Sequence, residues 1–284
     1  MEAIISMGKK CDERDIYDVR SKEWNNYSGI PVEMETGAML ALNPRCEYSR
    51  KRFIYRKSEV PEVNYMRNIV RYGDCVLDIG ANIGYWTTVL SSQVGNTGRV
   101  LAFEPNPNTF KILVKNIDLN LCCNAVAYNV GIADKNVIDK LYADELHSGD
   151  DRTYCPVAGT NGHVRRIIEI NLRTLNSFNS VIDLKRLSFI KIDVQGFEPM
   201  VLKGAIDILK LSNPILLVEF SSSHYAEGGS STEDFYNIYN ELGFKSYKIP
   251  HEVQTSTDAL VYEEIDLFKL DSSYSGNIIL KRGL

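Results

Sequence analysis

The chain has 284 residues, a net charge of −5 and a pI near 5.5, with 44% hydrophobic and 24% charged residues. This composition is typical of globular domains and argues against wholesale disorder. The acidic balance leaves no excess of Lys and Arg to neutralise phosphates, so we expect no nucleic-acid partner.

Other features of the sequence bear on its compartment. The 6 cysteines form no CxxC pair, which argues against a zinc site or a disulfide framework. No stretch approaches the roughly 20 apolar residues that span a bilayer, and the N-terminus lacks the apolar region of a signal peptide. We therefore predict a cytoplasmic protein with reduced thiols and no transmembrane segment. The sequence leaves the oligomeric state open.

Residues 1–58 show no strong hydrophobic period, and only MLALNP (39–44) predicts a strand there. We predict an N-terminal extension, packed on or beside a main domain of residues 59–284. A basic cluster lies in this extension, and because Glu47 and Glu59 border it, we interpret it as a solvated face. Its members are Arg45, Arg50, Lys51, Arg52, Arg56 and Lys57.

Helical and strand-like segments alternate after residue 59. Apolar positions at spacings of three and four predict an amphipathic helix from Val60 to Tyr72. Strand-like apolar runs follow at CVLDIG (75–80), RVLAFEP (99–105), AVAYNVGI (125–132), SFIKIDV (188–194) and PILLVEF (214–220). Strands with few polar interruptions, separated by helices, indicate a parallel sheet that is covered on both faces.

Further helices and two closing strands complete the predicted α/β fold. We expect helices at Tyr85 to Gln93, Pro107 to Asn120, Glu198 to Leu211 and near Glu233 to Leu242, with Asn106 as N-cap before Pro107. NVIDKLYAD and HVRRIIEINLRTL predict a hairpin-like insertion between strands 3 and 4, around a loop at 147–162 that is either functional or disordered. Strands at FKSYKI and NIILK give a doubly wound, mostly parallel sheet of seven strands.

The first strand ends in VLDIGANIG, and open parallel sheets bind ligands at the carboxyl ends of their strands. Gly80 and Gly84 let the backbone turn sharply and approach a ligand. Asn82 and Tyr85 stand where a GxGxxG dinucleotide fingerprint needs glycine, and no GK[ST] of a P-loop follows. The loop therefore favours a ligand without phosphates, such as S-adenosylmethionine, over NAD.

Two acidic residues indicate a nucleoside site at this loop. Asp78 ends the first strand and can offset an ammonium or sulfonium charge, directly or through water. Glu104 ends the second strand, where an acidic residue can accept hydrogen bonds from both hydroxyls of a ribose. The alternative for both residues is ordinary capping of loops or helix starts.

Asp193 and Glu219 end the fourth and fifth strands, so neighbouring strands would bring both carboxylates to the rim that faces a bound methyl group. Such a pair suits proton abstraction from a hydroxyl acceptor, and His224, just past the fifth strand, is the third catalytic candidate. Two close carboxylates could instead hold Mg²⁺, which we do not favour. Tyrosines of the C-terminal part could stack on sugar rings, but side chains at helical spacing favour a core position; they are Tyr225, Tyr236 and Tyr239.

Three long motifs resemble the FkbM family of S-adenosylmethionine-dependent methyltransferases: VLDIGANIGYWTTVLSSQVGNTGRVLAFEPNP, SFIKIDVQGFEPMVLKGA and PILLVEF. The resemblance covers about residues 59–220 and implies a class I (Rossmann-like) methyltransferase sheet. It implies O-methylation of sugars, polyketides or other natural products. It also implies cofactor roles for the matching residues Asp78, Gly80, Asn82, Gly84 and Glu104, with Val130, Gly131 and Ile132 near the adenine. Asp193 matches the aspartate of the family's KIDVEG motif.

Two positions depart from the family pattern, since Gln195 stands where glutamate is common and Asn176 where aspartate is common. If either acid were required, this protein would be altered or inactive. We predict an S-adenosylmethionine-dependent O-methyltransferase for a hydroxyl of a sugar, a glycan or another small natural product. A cofactor-binding partner subunit without turnover and, less favoured, an NAD-dependent oxidoreductase are the alternatives.

Overall fold

The computed structural model describes residues 13–144, 150–153, 166–249, 263–270 and 274–283. Within these ranges the α-helices are α1 (Glu13–Trp24), α2 (Glu47–Tyr55), α3 (Val60–Ile69), α4 (Tyr85–Val94), α5 (Pro107–Leu119), α6 (Glu198–Gly204), α7 (Ile206–Leu211), α8 (Ser222–Glu227) and α9 (Thr232–Glu241). The strands are β1 (Val32–Glu33), β2 (Met39–Leu40), β3 (Cys75–Ile79), β4 (Arg99–Phe103), β5 (Ala125–Tyr128), β6 (Gly131–Ile132), β7 (Val137–Ala143), β8 (Arg166–Arg173), β9 (Leu187–Ile192), β10 (Ile215–Ser221), β11 (Phe244–Tyr247) and β12 (Ser275–Arg282).

The central sheet has seven strands in the order β11-β12-β10-β9-β3-β4-β5. The five strands from β10 to β5 pair in parallel, whereas β12 pairs antiparallel with both β10 and β11. This confirms the predicted mostly parallel sheet and its two closing strands. Chain order reverses between β3 and β9, so their carboxyl ends lie at the switch point where sheets of this kind bind ligands.

The apolar run of β3 fits a central strand because every one of its residues is buried. Alternate side chains point to opposite faces, where Val76 packs with α3 and α4 while Leu77 packs with α6 and α7. Helices therefore cover both faces, as predicted. The N-cap before α5 is also confirmed, since the Asn106 side chain accepts a hydrogen bond from the Asn108 amide at 2.9 Å.

Two predicted elements are divided. The helix expected from Glu198 to Leu211 breaks at Ala205, directly after Gly204, whose backbone packs against the carbonyl of Ala133 too closely for any side chain. The strand-like run 125–132 also breaks: β5 stays in the central sheet, but β6 joins a separate sheet of order β6-β8-β7. Sequence periodicity does not detect such breaks, because tertiary packing causes them.

The antiparallel pair β7 and β8 confirms the hairpin-like insertion between the third and fourth strands of the predicted sheet. Of the predicted loop 147–162, only residues 150–153 belong to the described part of the chain. There Arg152 forms ion pairs with Asp150 at 2.8 Å and with Glu227 of α8 at 2.5 Å. These pairs attach the insertion to the end of the sheet that follows β10.

The N-terminal extension contains more structure than its sequence predicted. Besides a strand at the expected place, β2, it forms α1 and α2, which lack a strong hydrophobic period. Phe53 and Ile54 of α2 belong to the same buried cluster as Val76 and Val100 of the central sheet. The part of the extension that the structure describes, from residue 13, is thus packed on the core.

Two further expectations concern cysteines and membranes. Cys46, Cys75, Cys122 and Cys123 are free thiols, whereas Cys11 and Cys155 lie outside the described residues. Across the described ranges, no helix combines the length and the apolar character needed to cross a membrane.

Asn116 of α5 joins the extension to the core. It is fully buried, accepts a hydrogen bond from the Ala41 amide at 2.7 Å, and donates to the carbonyls of Ala41 and Ile83 at 3.1 and 2.7 Å. We expect Asn116→Ala to lower the free energy of unfolding by about 3 kcal/mol, because buried backbone groups lose their partners. Urea unfolding would measure the loss. The half-buried control Asn68→Ala, whose side chain donates a hydrogen bond to the Asn64 carbonyl at the surface, should change it by less than about 0.5 kcal/mol, and equal losses would contradict this assignment.

Candidate active site

A cavity of about 480 Å³ opens at the carboxyl ends of β3, β4, β9 and β10. The loop after β3 forms one wall and the acidic ends of β9 and β10 form another. The start of the insertion and one face of α2 complete it. The volume lies in the range of pockets that hold small molecules or cofactors.

Gly80 places the loop after β3 directly against β9. Its φ of +82° is a left-handed conformation, and a Cβ at this position would overlap the carbonyl oxygen of Asp193. Asn82, at φ +50°, keeps the backbone turning, and its amide donates a hydrogen bond to Glu104 at 2.9 Å. Both residues line the cavity, so the glycine turn brings backbone to the cavity wall as the sequence predicts.

Glu104 is buried at the end of β4 and still lines the cavity. The amides of Asn82 and Asn106 donate to its two carboxylate oxygens at 2.9 and 2.8 Å. Burial, reinforced by the nearby Asp151, raises the pKa of Glu104 to about 8. The carboxyl is therefore held rigidly, with its remaining lone pairs available to hydroxyl donors.

The other predicted cofactor residues divide into two groups. Gly131 and Ile132 line the cavity, whereas Asp78, Gly84 and Val130 lie behind its wall. Asp78 accepts a hydrogen bond from the Thr87 hydroxyl at 2.6 Å, and burial raises its pKa to about 6. Gly84 packs against Leu113, and Val130 packs on the core. These three residues can therefore act on a ligand in the cavity only through the glycine loop or through a water molecule.

Asp193 and Glu219 come together, as their strand positions predict. Gln195 donates hydrogen bonds to both, at 2.9 Å to Asp193 and 2.7 Å to Glu219. Burial opposes ionisation of Asp193, but the adjacent Lys191 ammonium outweighs it and lowers the pKa of Asp193. Burial and the negative charge of Asp193 raise the pKa of Glu219 well above its ordinary value. The surroundings thus favour the ionised form of Asp193 and the protonated form of Glu219.

Lys191 is a site residue that the sequence analysis missed. It is buried, yet it lines the cavity and forms ion pairs with Asp193 at 2.8 Å and with Glu59 at 3.9 Å. Burial alone would lower its pKa, but these two carboxylates raise it above its ordinary value. Trp86 donates a hydrogen bond to Glu59 at 2.8 Å. The lysine within SFIKIDV was the available signal, since a charged residue inside a buried strand requires a partner.

His224, the third catalytic candidate, lies at the edge of this group and is not among the described residues that line the cavity. Its Nε2 is 3.2 Å from a guanidinium nitrogen of Arg152, and its buried Nδ1 has no hydrogen-bond partner among the described residues. Burial and the Arg152 charge lower the pKa of His224. The ring is therefore neutral at pH 7, with Nε2 as the acceptor.

The two departures from the family pattern have different positions. Gln195, at φ +53°, stands in the cavity between the two acids. Asn176 lies outside the cavity wall, donates to Asp207 at 2.9 Å and accepts from the Ile208 amide at 3.3 Å, at the start of α7. The change at position 176 is therefore remote from the site. The change at position 195 replaces a carboxyl with an amide that bridges two others.

The basic cluster of the extension is exposed in part, at Arg45, Lys51 and Lys57, but three of its members also face the cavity, which the sequence interpretation did not include. Lys51, Arg52 and Lys57 line the cavity because α2 packs across its mouth. Tyr225 and Tyr239 are buried in the core, as their spacing indicated. The tyrosines that line the cavity are Tyr48, Tyr55 and Tyr85.

Residues 78–247, more than half of the chain, match the model of the methyltransferase FkbM domain. The chain belongs to the FkbM methyltransferase family. Its mostly parallel seven-stranded sheet, with the switch point at the glycine loop, is the Rossmann-like fold of class I methyltransferases. Within the described ranges, no group of three or more His, Cys, Asp or Glu side chains is arranged to hold a metal ion.

Curated relatives have several activities. The chain is 26% identical over 146 residues to Methyltransferase 1 of Beauveria bassiana, covering 46% of this chain and 58% of that protein. It is 29% identical over 148 residues to hexuronic acid methyltransferase AglP of Haloferax volcanii, covering 51% and 55%. It is 30% identical over 105 residues to ribosomal RNA large subunit methyltransferase E of Bdellovibrio bacteriovorus, covering 35% and 48%. The matched part spans about half the length of these relatives.

The contact between Gly80 and Asp193 can be tested separately from the cost of a positive φ. We expect Gly80→Ala to be more destabilising than Gly29→Ala, because Gly29 has a similar φ of +85° but open space around its Cα. The control should cost about 1–2 kcal/mol of unfolding free energy from backbone strain alone. Gly80→Ala should exceed that by about 2 kcal/mol or more, as steric overlap adds to the strain. Urea unfolding of both variants decides, and equal losses would contradict the tight contact.

Proposed function

We propose that this FkbM family member is an S-adenosylmethionine-dependent O-methyltransferase that methylates a hydroxyl of a sugar, a glycan or another small natural product. The observation that carries the proposal is the shared cavity. Glu104, whose carboxyl suits the hydroxyls of a ribose, lines the same space as the acid pair Asp193 and Glu219. One half has the chemistry to hold a cofactor. The other half has the chemistry to handle the proton of an acceptor.

The residues present fit S-adenosylmethionine better than a dinucleotide. Glu104 offers carboxyl oxygens to ribose hydroxyls, while Gly131 and Ile132 supply an apolar surface for the adenine. The acidic side chain of Glu59, which also lines the cavity, favours a cationic sulfonium over an anion. A pyrophosphate would instead face these acids, and the glycine that a dinucleotide loop needs is replaced by Asn82. When bound, S-adenosylmethionine supplies a methyl group on a sulfonium, which is a good leaving group.

The acid pair suits a hydroxyl acceptor. Asp193 is ionised and keeps 30% of its side chain accessible, towards the cavity. With the cofactor bound, Asp193 would accept a hydrogen bond from the acceptor hydroxyl and take its proton as the new C–O bond forms and the methyl–sulfur bond breaks, with the neutral thioether as the leaving group. Gln195 and Lys191 fix its orientation, which favours in-line attack. Glu219 keeps its proton and limits the negative charge at the site. His224 is proposed as a further catalytic residue through its position beside this group.

RNA is the competing acceptor class, because one relative is a ribosomal RNA methyltransferase. The net charge of −5 and the acidic residues Glu59, Asp193 and Glu219 that line the cavity argue against a polyphosphate partner. AglP is by name a hexuronic acid methyltransferase, which supports a sugar acceptor. A partner subunit without turnover would bind the cofactor and methylate nothing.

Asp193→Asn tests the chemistry. We expect kcat to fall by about 10²–10⁴-fold because the proton acceptor is lost, while the dissociation constant for S-adenosylmethionine changes by less than about threefold. Isotope-labelled cofactor incubated with glycan, metabolite and ribosomal RNA pools, followed by mass spectrometry, identifies the acceptor. Calorimetry gives the cofactor affinity, and the exposed control Asp134→Asn should match the parent protein.

Three results would overturn the proposal. Absence of saturable S-adenosylmethionine binding removes the cofactor, and labelled RNA with unlabelled small molecules replaces the acceptor class. Binding without any labelled product indicates a partner subunit. If Asp193→Asn lowers only the cofactor affinity, Asp193 is a binding residue.

Glu104 links cofactor binding to pH. Its carboxyl, with a pKa of about 8, is protonated in the free protein at neutral pH, but hydroxyl donors on a ribose favour the ionised form. Binding should therefore release a proton, and affinity should rise with pH by up to about tenfold per unit until pH 8, then level off.

Calorimetry in buffers of different ionisation enthalpy would measure the proton release. Glu104→Gln should abolish the rise of cofactor affinity between pH 7 and 8. Glu33→Gln, at an exposed carboxyl on β1, should leave this rise unchanged. The pKa of Glu198 is also raised to about 8, but Glu198 is not among the described residues that line the cavity. If cofactor affinity still rises with pH in Glu104→Gln, Glu104 is not the group that releases a proton on binding.

A further inference from the structure

The face of α2 that meets the cavity is built from two aromatic and two cationic side chains. Tyr48, Lys51, Arg52 and Tyr55 line the cavity and stand at positions i, i+3, i+4 and i+7 of the helix. Residues at this spacing lie on one side of a helix. The four side chains therefore form a continuous surface, which we term the α2 face.

Arg52 is the distinctive member of the α2 face. Its guanidinium lies over the Tyr85 ring, at 5.7 Å from the centroid, and its buried Nε has no hydrogen-bond partner among the described residues. None of the ion pairs within the described ranges includes Arg52. A partly buried guanidinium without an acceptor is costly unless a ligand supplies one. The natural ligand for its planar fork is a carboxylate or another oxyanion.

The opposite wall of the cavity has the reverse charge. Asp193 and Glu219 lie at the strand ends and Glu59 lies at the start of α3, and Lys191 balances only part of their charge. Tyr48 of the α2 face lines the same cavity, and burial, followed by the charges of Asp150, Glu219 and Asp193, raises its pKa. An anionic group entering the cavity is repelled by the acidic wall and attracted by the α2 face.

We propose that the α2 face is the acceptor subsite for a sugar that carries a carboxylate, with the acid group at Arg52 and the sugar ring against Tyr48 and Tyr55. This inference rests on the proposed function and names its substrate class. The carboxylate is held at the α2 face, so that a hydroxyl of the same sugar points to Asp193. Lys51, whose ammonium lies 5.6 Å from the centroid of the Tyr48 ring, adds positive charge on the same side.

A carboxylate at Arg52 has two sources, the acceptor and the amino-acid end of the cofactor, and binding measurements separate them. Methyl glucuronide and methyl glucoside, which differ in the acid group, are titrated with and without S-adenosylhomocysteine. We expect the parent protein to bind the glucuronide about tenfold or more tightly than the glucoside, as one charge-assisted pair provides. Arg52→Gln should abolish this preference and leave the affinity for S-adenosylhomocysteine within about twofold.

Three further variants control the measurement. Arg45→Gln removes a cation of the same segment that is outside the cavity wall, and should keep the preference. Arg52→Lys retains the charge without the fork and should keep part of it. Tyr55→Ala should weaken both sugars to the same extent, because ring stacking does not depend on the acid group. Thermal unfolding of each variant checks the fold.

The outcomes distinguish the inference from the proposed function. Equal affinity of the parent protein for the two sugars overturns the inference, whatever the cofactor result. Loss of S-adenosylhomocysteine binding in Arg52→Gln, with the glucuronide preference intact, also overturns it and assigns Arg52 to the cofactor. Failure of the parent protein to bind either cofactor form overturns the proposed function, while the titration without cofactor still reports on acid recognition.

Discussion

The two halves of the site depend on one junction between β3 and β9. The backbone of Gly80 lies against the carbonyl of Asp193, whose own amide donates a hydrogen bond to Ile79 at 3.0 Å. No side chain fits between these segments, so the glycine loop and the first acid of the pair cannot shift independently. A methyl transfer in line needs the two reactants held to within a fraction of an ångström. In the proposed methyl transfer, this junction would supply that constraint directly from the backbone.

Burial, as well as ion pairing, determines which acids of the site are ionised. Removing carboxylates from water is costly, and a set of three acids around one lysine would be unstable if all were ionised. Glu219 avoids this cost by retaining its proton, because Asp193 nearby is the better-compensated carboxylate. Gln195 contributes in the same direction, since its amide donates to both acids where a glutamate would add another negative charge.

The sequence predicted the sheet well because each central strand is buried on both faces and leaves a continuous apolar run. It also predicted that Glu104 and the acid pair lie at the same edge of the sheet, since topology alone sets the position of residues at strand ends. Lys191 was missed because its function depends on partners distant in sequence, Glu59 in particular. The breaks at Ala205 and after Tyr128 were missed because they follow from packing against other segments. The position of α2 beside the cavity was not predicted for the same reason. Its sequence has little hydrophobic periodicity, and only the tertiary fold shows which face of the helix is covered.

The segments of the extension that precede α2 hold this helix in place, and the contacts they make with it are mainly aromatic. Trp24 stacks on Tyr27 with centroids 5.0 Å apart, and both rings contact Phe53 on the side of α2 away from the cavity. Arg20 of α1 donates to the Ile54 carbonyl at 2.6 Å. Such contacts hold one side of the helix and leave its other side towards the cavity. In the proposed enzyme, the sheet would then set the chemistry at the strand ends, and the extension would set which acceptor reaches it. Substitutions on the cavity face of α2 would then change acceptor preference, and at Arg52 they would also remove a contact with the buried ring of Tyr85.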